Sequence, residues 1–225
     1  MIAGTYLPPS GLPADTTMAG RRHDFWLLDL DGTVVDVDQS YVEDTMRRVG
    51  DRLGRSFTPR EAERLWHEDE AGRDAVLAAH DVDRARFWRA FHETEDPQAR
   101  AEATYVYDDA AAVVPELSTP VGLVTHNQHS ATVLDHLDIG DWFDTVVRGG
   151  DGVGWKPDPG PLEAAMADLG VDPADRSGAM AGDAPTDVGA ARNAGLEAVH
   201  VARGASRPAA PLGDRRVRTL TDLEG

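Results

Sequence analysis

The first clear pattern in the chain is Phe25-Trp26-Leu27-Leu28-Asp29-Leu30, a short apolar run of the kind that forms a buried strand. From about 38 to 105 the texture turns helical: Val42, Met46, Val49 and Leu53 fall on one helical face. Thr58-Pro59-Arg60-Glu61 sets a capping Thr ahead of a Pro at the first helical position, with a Glu three residues after the cap. Asp83 precedes a pattern in which Phe87, Trp88 and Phe91 share a face, and Asp96-Pro97 starts one more helix. No strand pattern interrupts this stretch, which therefore reads as an all-helical insert. Beyond it the periods alternate, with helices over 110–117, 129–137, 161–169 and 186–194 and strands over 121–124, 145–147, 178–181 and 198–201. Strands alternating with helices of this length predict an α/β fold, a Rossmann-like parallel sheet with helices on both faces. The expected organisation is a core built from 23–37 and 106–225 with a helical insert over 38–105. Residues 1–22, rich in Pro, Gly, Thr and Ala and without a period, read as a loose leader in which Met18 is a second candidate start.

Charge narrows the partners. The 225 residues carry 40 acidic against 22 basic side chains, a net charge of -18. A surface this negative repels nucleic acid backbones and anionic membranes, so neither is an expected partner. No stretch approaches the roughly 20 apolar residues of a membrane span, and the N-terminus lacks the basic-then-apolar order of a secretion signal. A soluble cytoplasmic protein is the default expectation, and no feature calls for an obligatory protein partner. The absence of cysteine excludes thiol catalysis, Cys-ligated zinc and disulfides. Of the 22 basic residues only Lys156 is lysine. A GC-rich genome or life in concentrated salt could each remove lysine. The halophilic reading also explains the acidity, because salt screens the self-repulsion of such a surface. Either way, the one position that keeps lysine is a candidate for a special chemical task.

Three polar clusters follow predicted strands, where parallel sheets bind their ligands. In Asp29-Leu30-Asp31-Gly32-Thr33 the two carboxylates lie two residues apart and face one way in extended chain, and Gly32 permits a tight exit. Such a pair suits a hard divalent cation, or a nucleophile beside an acid/base, although an Asp-rich chain also places Asp in ordinary strand-end turns. Thr125, with His126 and Asn127, follows the strand at 121–124 and could hold a phosphate oxygen at a helix start; a plain helix cap would use the same residues. Gly182-Asp183-Ala184-Pro185-Thr186-Asp187 adds two carboxylates four residues apart, beside a Gly that allows close approach. Lys156 stands between the last two clusters in the loop Trp155-Lys156-Pro157-Asp158-Pro159.

In this order the clusters closely resemble the four motifs of the haloacid dehalogenase-like hydrolase superfamily, over about 25 to 205: Asp29 to Thr33, then Thr125, then Lys156 with Pro157, then Gly182-Asp183 with Asp187. The resemblance implies a phosphatase in which Asp29 attacks phosphorus and Asp31 is the acid/base. It implies Mg²⁺ held by Asp29, Asp31 (main-chain carbonyl) and Asp183, with Asp187 in support. It also implies phosphoryl oxygens bound by Thr125 and Lys156, with Asn127 a candidate for the amide that His126 displaces. The insert is similar to the small helical cap of the phosphoglycolate phosphatase-like branch, which closes over the site and selects the substrate. The expected partner is a small-molecule phosphate ester; phosphoglycolate, a sugar phosphate and a nucleoside monophosphate all stay open. A cap without lysine excludes the Schiff-base phosphonate-cleaving branch, and Asp31 disfavours dehalogenation. A sugar-phosphate mutase and a catalytically idle binding protein on the same fold remain as alternatives.

Overall fold

The computed structural model describes residues 23–67, 70–150, 152–172, 177–203 and 213–223. The leader read at 1–22 lies outside the described residues. The central strand β1 (Trp26–Leu28) is flanked by β4 (Val121–Thr125) and β6 (Ala179–Gly182). With β5 (Thr145–Arg148), β7 (Glu197–Val201) and β8 (Arg215–Val217) they form one parallel sheet in the order β5-β4-β1-β6-β7-β8. The apolar run at β1 is continuous because both faces of the strand are covered. Its alternating side chains divide between two cores. Phe25 and Leu27 pack with Leu162 and Met166 of helix α8 (Gly160–Asp168) and Val188 and Ala191 of α9 (Pro185–Ala194). Trp26, Leu28 and Leu30 pack on the other face with Ala110 of α6 (Asp108–Val113) and Leu134 of α7 (Ser130–Leu137). Each fully buried Leu or Phe contributes about 1.5–3 kcal/mol.

Between β1 and α6 the chain makes a second, two-stranded antiparallel ribbon of β2 (Val35–Val37) and β3 (Thr104–Val106). Five helices run between those strands: α1 (Gln39–Leu53), α2 (Pro59–His67), α3 (Glu70–Ala79), α4 (Arg84–His92) and α5 (Pro97–Glu102). The inner faces of α1 to α4 share one cluster that includes Val42, Met46, Val49, Leu53, Leu65, Leu77 and Phe87. The capping pattern at Thr58 forms in both directions, with Glu61 N–H donating to Thr58 Oγ1 (3.3 Å) and Thr58 N–H to Glu61 Oε2 (2.8 Å). Asp83 and Asp96 cap α4 and α5 by accepting from Arg86 N–H (2.8 Å) and Ala99 N–H (2.7 Å).

The structure departs from the sequence pattern at short elements. β2, β3 and β8 are three residues each, below the length at which an alternating period can be read. The helix expected over 110–117 ends at Val113 and tightens into a 3₁₀ turn at Val114–Glu116, where Pro115 has no N–H to continue the α ladder.

The order of the sheet sets the location of the site. The chain passes from β1 outward to β4 and β5, then crosses back to β6 on the other side of β1. That reversal opens a crevice at the carboxyl ends of β4, β1 and β6.

Candidate active site

Asp29 directly follows β1, anchored by its N–H donating to Ala181 O (3.0 Å). Thr125 ends β4, and Asp183 directly follows β6. The turn after Asp29 needs Gly32, whose φ of 77° lies in the left-handed region and whose N–H donates to Val35 O (2.7 Å). Gly182 serves a different purpose: a Cβ there would sit 2.3 Å from Asp187 Oδ2. Only a glycine lets that carboxylate swing in, where Oδ2 accepts from Ala184 N–H (2.9 Å) at the start of α9.

Lys156 is the electrostatic centre. Its Nζ lies 2.8 Å from Asp29 Oδ1, 2.7 Å from Asp187 Oδ1 and 2.8 Å from Val124 O, and its side chain is 2% exposed. Burial favours the neutral amine, but Asp187 and Asp29 outweigh it, so the pKa of Lys156 is raised and the ammonium persists. Burial also pushes the Asp29 carboxyl well above the usual carboxylate range; Asp187 and Asp183 push the same way, and Lys156 pulls it down. Carboxylate oxygens of Asp29, Asp183 and Asp187 lie within 4.8 Å of one another. With all three ionised they face one ammonium, which leaves two negative charges uncompensated. This all-oxygen donor set and its charge excess fit a hard divalent cation such as Mg²⁺. Both oxygens of Asp187 are already engaged, by Ala184 N–H and by Lys156.

Asp31 sits at the front of the crevice, its side chain 36% exposed. Its Oδ2 accepts from Asn127 Nδ2 (2.9 Å), and its Oδ1 is paired with the guanidinium of Arg100 on α5. Asn127, a candidate for binding phosphate, is thus placed on the second carboxylate of the first motif. Thr125, 1% exposed, has its hydroxyl accepting from Asn127 N–H (3.0 Å). His126 has a task that its sequence position did not announce: Nε2 accepts from Lys156 N–H (2.9 Å). Burial, helped by the Lys156 charge, pushes His126 down to about 4, so the ring stays the neutral acceptor that this bond requires.

Three more residues frame the site from afar. Arg203 grips the Thr33 carbonyl (2.6 and 3.1 Å) and Asp109 (2.7 Å), pinning the turn after Asp31. The buried His200 ring on β7 lies beside the Asp183 main chain. Arg100, 3% exposed, joins the helical insert to Asp31. Nothing in the sequence singles out Arg100 or Arg203 from the chain's many other arginines.

The comparisons with known proteins agree with this arrangement. A family model described as haloacid dehalogenase-like hydrolase matches residues 26–195. Phosphoglycolate phosphatase from Rhodospirillum rubrum is 32% identical over 214 residues, covering 83% of each chain. Pyrophosphatase PpaX from Bacillus velezensis is 28% identical over 228 residues, 92% of this chain and 97% of its own. Among solved structures, a candidate phosphoglycolate phosphatase from Lactobacillus plantarum superposes with a TM-score of 0.75 at 19% identity, covering 89% of this chain and 97% of its own. β-Phosphoglucomutase from Clostridium difficile superposes at 0.66 with 18% identity, covering 90% and 93%. At such identities the superpositions speak for the fold alone. The family model and the Rhodospirillum relative carry the assignment: the chain belongs to the haloacid dehalogenase-like hydrolases, in the branch that holds its phosphoglycolate phosphatase relatives.

Proposed function

We propose that the chain is a Mg²⁺-dependent phosphomonoester hydrolase that acts on a small phosphorylated metabolite through an aspartyl-phosphate on Asp29. The observation that carries this reading is the only lysine of the chain, buried at 2.7–2.8 Å from two carboxylates that also belong to the three-Asp cluster. Asp29 attacks phosphorus, and the bond from phosphorus to the ester oxygen breaks. Asp31 gives its proton to the departing oxygen, then takes one from the water that attacks the aspartyl-phosphate and regenerates Asp29. Lys156 and Thr125 stabilise the phosphoryl oxygens as charge spreads over them, and His126 fixes the main chain of Lys156. Bound at Asp29, Asp183 and the Asp31 carbonyl, Mg²⁺ would supply the positive charge that lets a dianion approach a carboxylate nucleophile. A chain of net charge -18 can attract such a dianion only where the metal and Lys156 reverse the local sign. The helical insert, joined to Asp31 through Arg100, acts as the cap that excludes water and selects the substrate. The Rhodospirillum relative makes phosphoglycolate the first substrate to try.

The test is phosphate release from a panel of small phosphomonoesters, in low and multimolar KCl, with Mg²⁺ or EDTA. Metal-dependent release that vanishes in Asp29→Asn is the expected result. No release at either salt concentration with Mg²⁺ present would overturn the reading. Conversion of a sugar phosphate to its isomer without net release would point to a mutase instead.

A further inference from the structure

Arg100 is buried, yet its hydrogen bonding is incomplete. One guanidinium nitrogen, Nη2, is paired with Asp31 Oδ1, while Nη1 is inaccessible to solvent and has no hydrogen-bond partner. Among the described residues, Asp31 is the one carboxylate in ion-pair contact with it. The guanidinium lies 4.9 Å from the Trp66 ring and 6.0 Å from the Tyr41 ring, both on helices of the insert. The Tyr41 hydroxyl is also buried and makes no well-formed hydrogen bond, with the Thr45 side chain beside it. An unsatisfied Arg100 donor therefore sits next to the acid/base of the site, with Tyr41 alongside, although buried donors almost always find a partner. Leaving such a donor unpaired is costly, and most so for a charged one.

Building on the phosphatase reading above, we propose that Arg100, with Tyr41, is the specificity-determining anchor for a carboxylate carried by the leaving group of the substrate. The guanidinium fork limits how far that carboxylate can lie from the reacting bond. Asp31 must reach the ester oxygen at hydrogen-bond distance while the carboxylate bonds Nη1 of the arginine beside it. The two substrate groups are then on the order of 3–5 Å apart, the span of a two- or three-carbon acid. A nucleoside monophosphate or a hexose monophosphate presents no second anion at that distance.

The pairing also links recognition to chemistry. Arg100 and Asn127 both donate to Asp31, so the carboxylate anchor and the acid/base belong to one hydrogen-bonded cluster. A substrate carboxylate takes up the unpaired Nη1 while Nη2 stays on Asp31, which sets the ester oxygen against that side chain. A neutral leaving group leaves Nη1 unpaired. Half-buried Glu95, its carboxyl held up to about 7 by burial, lies against His129 (3.5 Å) and makes no ion pair with Arg100.

The experiment compares phosphoglycolate with 2-hydroxyethyl phosphate, esters of similar size with and without the carboxylate, on wild type, Arg100→Gln and Tyr41→Phe. The wild type should favour phosphoglycolate in kcat/KM. Arg100→Gln should lower the ratio of the two kcat/KM values by about 10- to 100-fold, and Tyr41→Phe, which keeps the ring, by about 3- to 10-fold. If Arg100→Gln does not fold, the Tyr41→Phe ratio decides. Parallel losses on both esters with an unchanged ratio would reduce Arg100 to a structural tie, and a wild type that prefers the neutral ester would refute the proposal outright. Failure of the wild type to hydrolyse any phosphomonoester would instead strike the phosphatase reading, and this proposal with it.

Discussion

Replacing Lys156 with methionine keeps the apolar stem and removes the charge at the centre of the site. The ammonium bonds Asp29, Asp187 and the Val124 carbonyl at 2.7–2.8 Å in a nearly solvent-free pocket. Without it, three carboxylates remain within 4.8 Å of one another with no cation between them. Removing one partner of a buried ion pair costs about 3–5 kcal/mol. Proton uptake by Asp29, whose carboxyl burial already pushes up, limits the loss, so the low end applies. About 3 kcal/mol in a chain of this size lowers the thermal midpoint by roughly 6–12 °C. The deficit depends on conditions in two ways. A protonated Asp29 is the form that the altered site prefers, so the deficit is largest near pH 8 and shrinks toward pH 5. A divalent cation restores part of the lost counter-charge, so it also shrinks in Mg²⁺. Thermal unfolding of both proteins in EDTA and in Mg²⁺, at pH 5 and pH 8, measures all of this. The electrostatic reasoning fails if Lys156→Met melts within about 2 °C of wild type in EDTA at pH 8, or if Mg²⁺ leaves the gap unchanged.

Other consequences follow from single contacts. Gly182→Ala drives a methyl group against Asp187 Oδ2, so it should cost about 1–3 kcal/mol and weaken Mg²⁺ binding in calorimetry; unchanged affinity would show that Asp187 is not needed for the metal. The His126 ring should titrate near 4 in an NMR pH series, and a midpoint near 6.5 would show that it does not hold the Lys156 N–H. Because the folded value lies below the unfolded one, the proton binds the unfolded chain preferentially: the His126 contribution to stability is intact above about 6.5 and is lost as pH falls toward 4. His126→Asn should flatten that part of the stability curve. The thermal midpoint should rise from low to multimolar KCl as salt screens the -18 surface, and a flat or falling midpoint would contradict the halophilic reading.

Asp29 and Asp183 were legible because each stands directly after an apolar strand, and Thr125 because it ends one, the position that the pattern of a parallel sheet marks in advance. Lys156 has no such marker; its rarity in an arginine-rich chain singled it out. Helices α1, α2, α4 and α5 of the insert were legible because apolar faces and caps are local signals, as the reciprocal bonds of Thr58 and Glu61 show, whereas no such signal marked α3. Strands β2, β3 and β8 were not, because three residues cannot display a period and their pairing partners are set by the folded chain. Arg100 reaches Asp31 across 69 residues of sequence, and His126 meets the Lys156 main chain across 30. Neither contact leaves a local trace, since an arginine on a six-residue helix and a histidine after a strand look alike whether or not they serve a site.

The central claim is covalent chemistry at Asp29, and trapping that bond tests it most directly. Enzyme mixed with a turned-over phosphomonoester and Mg²⁺ is quenched in acid and reduced with borohydride, which converts an aspartyl-phosphate to homoserine. Peptide mass spectrometry should find homoserine at position 29, dependent on both substrate and metal and absent from Asp31. Turnover with no modification at Asp29, or Asp29→Asn releasing phosphate at the wild-type rate, would contradict the account.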